Sequence, residues 1–144
     1  MNQRNSSHRP ILLVEDNPMD IDLTLRAFDK QHFVNPIEVA RDGEEAVNWT
    51  ARCDAGEQAP LIVLLDLKLP KIDGLEVLRR FREHPIFKVI PVIVLTSSSE
   101  DKDIQTAYER GANSYIVKPV DFEKFVKVAA EIEIYWLAMN QLPR

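Results

Sequence analysis

Leu61-Ile62-Val63-Leu64-Leu65-Asp66 is an unbroken apolar run ended by an acid. A strand with one face in water alternates apolar and polar residues. A run without alternation is buried on both faces, as in a parallel sheet covered by helices on either side. The pattern recurs on both sides of this stretch. Ile11-Leu12-Leu13-Val14 ends in Glu15-Asp16, and Val92-Ile93-Val94-Leu95 ends in Thr96-Ser97-Ser98. Ile37-Glu38-Val39 and Ser114-Tyr115-Ile116-Val117 are more mixed and read as edge strands. Amphipathic stretches separate these runs, so five strand–helix pairs form an α/β domain with a doubly wound parallel sheet.

The first helix has a defined start: Asn17 is the candidate cap, Pro18 takes the first helical position, and Ile21, Leu25 and Phe28 recur at helical spacing. Further helices are expected over 44–52, 75–83, 101–110 and 121–139, with Gly111 stopping the fourth. Residues 53–60 read as a polar loop and residues 1–9 as a flexible arm, leaving 10–144 as one domain. A length of 144 residues suits a single core.

The formal net charge of -5 argues against a nucleic-acid backbone partner. No apolar run is long enough to cross a bilayer. The single cysteine, Cys53, and the polar start point to the cytoplasm. With only four glycines, Gly43, Gly56, Gly74 and Gly111, no phosphate-cradling loop can be built, which disfavours a nucleotide-binding domain. His8, His32 and His84 lack metal-ligand spacing and read as surface residues.

Ligands of an open parallel sheet bind beyond the carboxyl ends of its strands. Those ends carry Glu15 and Asp16, Asp66, Thr96, and Lys118-Pro119. Three carboxylates, a hydroxyl and an ammonium would therefore meet at one edge. Such an oxygen-rich cluster suits Mg2+. Asp66 could attack phosphorus as a carboxylate nucleophile while the cation, Thr96 and Lys118 stabilise the transferring oxygens. Each residue alone has a bland reading as a cap, a turn or a solvated charge; their coincidence at four strand ends favours the functional one.

Val14-Glu15-Asp16-Asn17, the stretch Leu65-Asp66-Leu67-Lys68-Leu69-Pro70-Lys71-Ile72-Asp73-Gly74, Leu95-Thr96-Ser97 and Lys118-Pro119 resemble the receiver domains of bacterial response regulators. The resemblance implies a flavodoxin-like fold with strand order 2-1-3-4-5 and an aspartyl phosphate formed from the phosphohistidine of a histidine kinase. By position it implies Asp66 as acceptor, Asp16 as direct metal ligand, Glu15 acting through water, and the Lys68 backbone carbonyl as a further metal contact. Thr96 matches the switch hydroxyl, Tyr115 the switch aromatic and Lys118 the phosphate-binding lysine, with Lys118–Pro119 a cis peptide.

The Lys68 side chain departs from the smaller or neutral residue often found beside such sites. The long loop after the second helix, Lys118-Pro119-Val120-Asp121-Phe122 and Ile134-Tyr135-Trp136-Leu137 resemble the single-domain regulators that partner bacterial phytochromes. The last helix is apolar on more than one face, whereas covering a sheet requires one stripe. The excess points to a homodimer contact including Tyr135 and Trp136, against the alternative that both fold over the domain's own edge.

A metal-dependent phosphohydrolase would place its nucleophile after the first strand, where this chain has Glu15-Asp16-Asn17. A pseudo-receiver acting without phosphorylation is the stronger rival. No output domain is expected after the last helix, so signalling would pass through protein contact at the fourth helix, fifth strand and fifth helix. Onward relay to a histidine phosphotransfer protein is the other route.

Overall fold

The computed structural model describes residues 9–31 and 34–139. Five parallel strands, β1 (Ile11–Val14), β2 (Ile37–Ala40), β3 (Ile62–Leu65), β4 (Val92–Thr96) and β5 (Ser114–Val117), form one sheet in the order β2-β1-β3-β4-β5. The helices are α1 (Pro18–Asp29), α2 (Gly43–Asp54), α3 (Gly74–Glu83), α4 (Asp101–Glu109) and α5 (Phe122–Ile132). Period-two alternation divides each central strand between two cores. Leu12, Val14, Val63, Leu65, Val92 and Val94 pack with residues of α2, α3 and α4. Ile11, Leu13, Ile62, Leu64, Ile93 and Leu95 pack with residues of α1 and α5. That division is the physical origin of the unbroken apolar runs.

Local signals behave as their chemistry requires. Asn17 Oδ1 accepts from Met19 N at 2.9 Å and Asp20 N at 3.0 Å, starting α1 with Pro18 in its first turn. Gly111 takes φ 96°, a conformation glycine adopts without steric cost, just after the Arg110 cap of α4. Gly74 answers to space instead. A Cβ there would lie 2.3 Å from the Asp66 carbonyl oxygen. Its N–H donates to Leu67 O at 2.8 Å, so the start of α3 is drawn beneath the end of β3.

Four expectations need correction. The polar loop begins later than residue 53, because α2 continues to Asp54 and buries Cys53 on the stripe it shares with Ala46 and Trp49. The last helix is α only to Ile132; Glu133–Met139 is π-helical. Trp136 continues the buried stripe of Ala129 and Ile132 onto the α1–α5 core, while Ile134 and Tyr135 stay exposed. No cis peptide occurs among the described residues, so Lys118–Pro119 is trans, the form X–Pro bonds favour unless their surroundings impose the other. His84 is half-buried: its Nε2 lies 2.9 Å from Asp54 Oδ1, and its Nδ1 accepts from Ile86 N and Phe87 N. It serves as a polar clasp after α3, which a lone histidine in the sequence cannot reveal.

His8 and His32 lie outside the described residues, as do residues 1–8 of the expected arm. Arg9 donates to the carbonyls of Ala59, at 3.0 Å, and Pro60, at 2.6 Å.

Candidate functional site

The strand ends converge as the parallel register demands. Asp66 N donates to Val14 O at 3.0 Å, holding the end of β3 against the end of β1. Lys118 N donates to Thr96 O at 2.8 Å, tying the residue after β5 to the end of β4. The four chemical segments thus share one edge of the sheet.

Lys118 is the centre of the cluster. Its Nζ lies 2.7 Å from Glu15 Oε1, 2.8 Å from Asp20 Oδ2 and 3.2 Å from Asp66 Oδ2. Burial works against the ammonium charge. The hydrogen bonds with Asp20 and Glu15 and the negative charge of Asp66 outweigh it and hold Lys118 above its usual range. Burial, reinforced by the Asp66 charge, pushes Glu15 up to about 7 against the hydrogen bond from Lys118. Glu15 and Asp66 are buried, whereas Asp16 is exposed. The Asp66 carboxylate is oriented at both ends: Oδ1 accepts from Leu67 N at 2.7 Å, and Oδ2 faces Lys118.

Glu15, Asp16 and Asp66 each offer an oxygen, and the three oxygens lie within 4.8 Å of one another. Two of these carboxylates are buried and share a single ammonium. Their surplus negative charge and all-oxygen donor set fit a hard divalent cation. Beside them runs a groove lined by Asp16, Leu67, Lys68, Asp73, Glu100 and Asp103. The Lys68 side chain is exposed along it.

Thr96 is fully buried, and its Oγ1 accepts from Ser98 N at 3.4 Å. Tyr115, half-buried on the α2–α3–α4 core, donates its hydroxyl to Ser98 O at 2.9 Å. Ser98 Oγ donates to Asp103 Oδ2 at 2.6 Å. Tyr115 on β5, the segment after β4 and the first turn of α4 are therefore joined in one hydrogen-bonded chain. Tyr135 and Trp136 lie away from this edge, on the π-helical turns, with their rings edge-to-face at 5.0 Å.

A profile of the response regulator receiver domain matches residues 11–130. The chain belongs to the receiver-domain family of response regulators. Receivers of two-component systems are phosphorylated by histidine kinases on an aspartate beside a divalent-cation pocket, and the acidic cluster here is such a pocket. The chain is similar to the phosphorylated cyanobacterial phytochrome response regulator RcpA, with 37% identity, TM-score 0.88 and coverage of 95% of this chain and 99% of that one. Rcp1 of Synechocystis sp. is 34% identical over 99% of both chains. Its Mn2+-bound crystal structure has TM-score 0.85, covering 94% of this receiver and 99% of that chain. A probable methanogenesis regulatory protein, FilR2 of Methanothrix harundinacea, is 43% identical across 92% of this receiver and 86% of that protein.

Glu15, Asp16, Asp66, Thr96 and Lys118 thus stand at one sheet edge as the sequence reading requires. The residue it missed is Asp20. In sequence an acid in the first turn of a helix reads as a complement to the helix dipole. Its spacing four residues beyond Asp16 is the only hint that its carboxylate returns to the strand end.

Proposed function

We propose that the receiver accepts a phosphoryl group on Asp66 from the phosphohistidine of a histidine kinase. The observation that carries this reading is the Asp66 carboxylate, buried at the sheet edge, held at Oδ1 by Leu67 N and facing Lys118 from Oδ2. An Asp66 oxygen forms the new P–O bond as the P–N bond breaks, and the electron pair of that bond stays on the leaving imidazole. Lys118 offers its ammonium to an equatorial phosphoryl oxygen, and the Thr96 hydroxyl offers a second donor on the β4 side.

Glu15, Asp16, Asp66 and the Lys68 carbonyl would hold Mg2+, which when bound neutralises charge on the transferring oxygens. Mg2+ matches the hard oxygen donors, and the Mn2+-bound form of Rcp1 supports a divalent cation here. Turning of Thr96 toward the phosphoryl group would free Ser98 and allow Tyr115 to leave the Ser98 carbonyl. That exchange shifts the population of the face formed by α4, β5 and α5.

A phytochrome-type kinase is the donor we favour, on the likeness to RcpA and Rcp1. A histidine phosphotransfer protein is a further route for the phosphoryl group. We also infer a homodimer whose contact includes Tyr135 and Trp136. Tyr135 is 51% exposed and Ile134 54% exposed beside it. Trp136 contributes chiefly by supporting the Tyr135 ring from its own core. A monomer mass by light scattering, with and without phosphorylation, would overturn the dimer.

The acceptor is tested by intact-mass spectrometry after incubation with Mg2+ and acetyl phosphate. Wild type is expected to gain one phosphoryl group, about 80 Da, and Asp66→Asn none. No gain in correctly folded wild type, with rapid hydrolysis excluded by a time course, would replace the reading with a pseudo-receiver.

A further inference from the structure

We propose that Asp20 is a positioning residue for phosphoryl transfer: it anchors the Lys118 ammonium through a contact that a bound cation does not contest. The inference rests on Asp66 being the phosphoacceptor.

An ammonium has three N–H donors. Lys118 meets three carboxylates, Glu15, Asp20 and Asp66. Glu15 and Asp66 also belong to the oxygen triad with Asp16, whereas Asp20 does not. A cation drawing on that triad withdraws negative charge from two of the lysine's three partners. The arriving phosphoryl group then replaces the Asp66 contact altogether. Asp20 is the partner that persists through the step, in which the Asp66 oxygen bonds to phosphorus and the leaving group departs with its electron pair. No proton passes through Lys118 or Asp20.

The local structure supports a directed rather than an incidental contact. Asp22, two residues on, faces solvent and pairs with Arg26, whose side chain is equally exposed. The Asp20 side chain is 29% exposed and reaches a lysine 98 positions away in sequence. Its backbone is fixed at both ends: Asn17 Oδ1 accepts from Asp20 N at 3.0 Å, and Thr24 Oγ1 donates to Asp20 O at 2.7 Å. Asn17 N meanwhile donates to Glu15 Oε2 at 3.1 Å. One helix cap thus sets two of the three carboxylates that hold the lysine, and Asp20 makes its structural hydrogen bonds through the backbone. Replacing its side chain leaves those bonds in place.

The test compares the rate of adduct formation with acetyl phosphate and Mg2+ in the full chain. Asp20→Asn, of equal size, is expected to slow it about tenfold, within the roughly 10²-fold that a misplacement of about 1 Å can cost. Asp20→Glu should recover part of the rate. Combining Asp20→Asn with Lys118→Ala should be no slower than Lys118→Ala alone, since both act through the same ammonium. A readout independent of activity is the side-chain ¹⁵N signal of Lys118 in Mg2+-loaded protein, where the cation draws on Glu15 and Asp66, assigned by its absence from Lys118→Ala. It should be sharp in wild type and lost to solvent exchange in Asp20→Asn and Asp20→Ala.

Wild-type rate with an unchanged ammonium signal in the Asp20 variants would overturn this inference while leaving Asp66 as acceptor. Multiplying effects in the double variant would do the same. Absence of any wild-type adduct would overturn both readings together.

Discussion

Replacing Lys118 by methionine keeps an apolar stem of similar reach but removes the cation that Glu15, Asp20 and Asp66 share. The Lys118 side chain is 8% exposed, so water cannot take over its role without the site opening. At an effective dielectric of about 20, a charge pair near 3 Å is worth roughly 5 kcal/mol before desolvation. Desolvation offsets much of this, and removing one partner of a buried pair typically costs about 3–5 kcal/mol. Glu15, already pushed up to about 7, can take a proton and relieve part of the repulsion. The lower end, about 3 kcal/mol, is therefore expected in metal-free buffer near neutral pH. For a domain of this size that lowers the melting temperature by about 10 °C. Excess Mg2+ should return a large part of the loss, because it restores positive charge to the same oxygens. Thermal unfolding followed by circular dichroism, with and without Mg2+, gives all four values. A metal-free variant at least as stable as wild type, or a loss that Mg2+ leaves untouched, would refute the electrostatic account of the site.

The raised Glu15 sets a pH dependence: the folded state holds this proton more tightly than the unfolded chain, whose ordinary value is 4.5. Its contribution to metal-free stability is full below the unfolded value and is lost as pH rises through about 7, while cation binding gains by displacing the proton. The melting-temperature increase produced by Mg2+ should therefore be larger at about pH 8 than at about pH 6, and the reverse order would exclude Glu15 as the titrating group. Arg82 on α3 donates to the carbonyls of Gly111 at 2.8 Å and Ile90 at 2.8 Å and to Asn113 Oδ1 at 2.9 Å. Arg82→Ala should cost about 3 kcal/mol in urea unfolding. Arg82→Lys should recover little, since an ammonium cannot reproduce the fork. Thr96→Ala should still form the Asp66 adduct but lose the change in Tyr115 environment on phosphorylation, followed by tyrosine NMR. An unaltered Tyr115 response would remove Thr96 from the switch.

The doubly wound sheet was legible in the sequence, because burial on both faces demands unbroken apolar runs such as Ile62–Leu65 and amphipathic stretches separate those runs. It also brought Glu15, Asp16, Asp66, Thr96 and Lys118 to one edge, since parallel strands end on the same side. The caps of α1 and the stop at Gly111 were legible for the same reason: they are local chemistry with local signals. What only the tertiary structure decided depends on contacts between distant segments. Asp20 looks like a helix-dipole acid until the fold carries Lys118 to within 2.8 Å of it. His84 looks solvated until Asp54 meets its ring. Trp136 and Tyr135, adjacent in sequence, part company because one falls on the stripe of Ala129 and Ile132 that meets the α1 core and the other beside it, exposed. Periodicity reports which residues seek burial; which partner a polar or aromatic group finds is settled by packing across the sequence, where no short-range pattern carries the information.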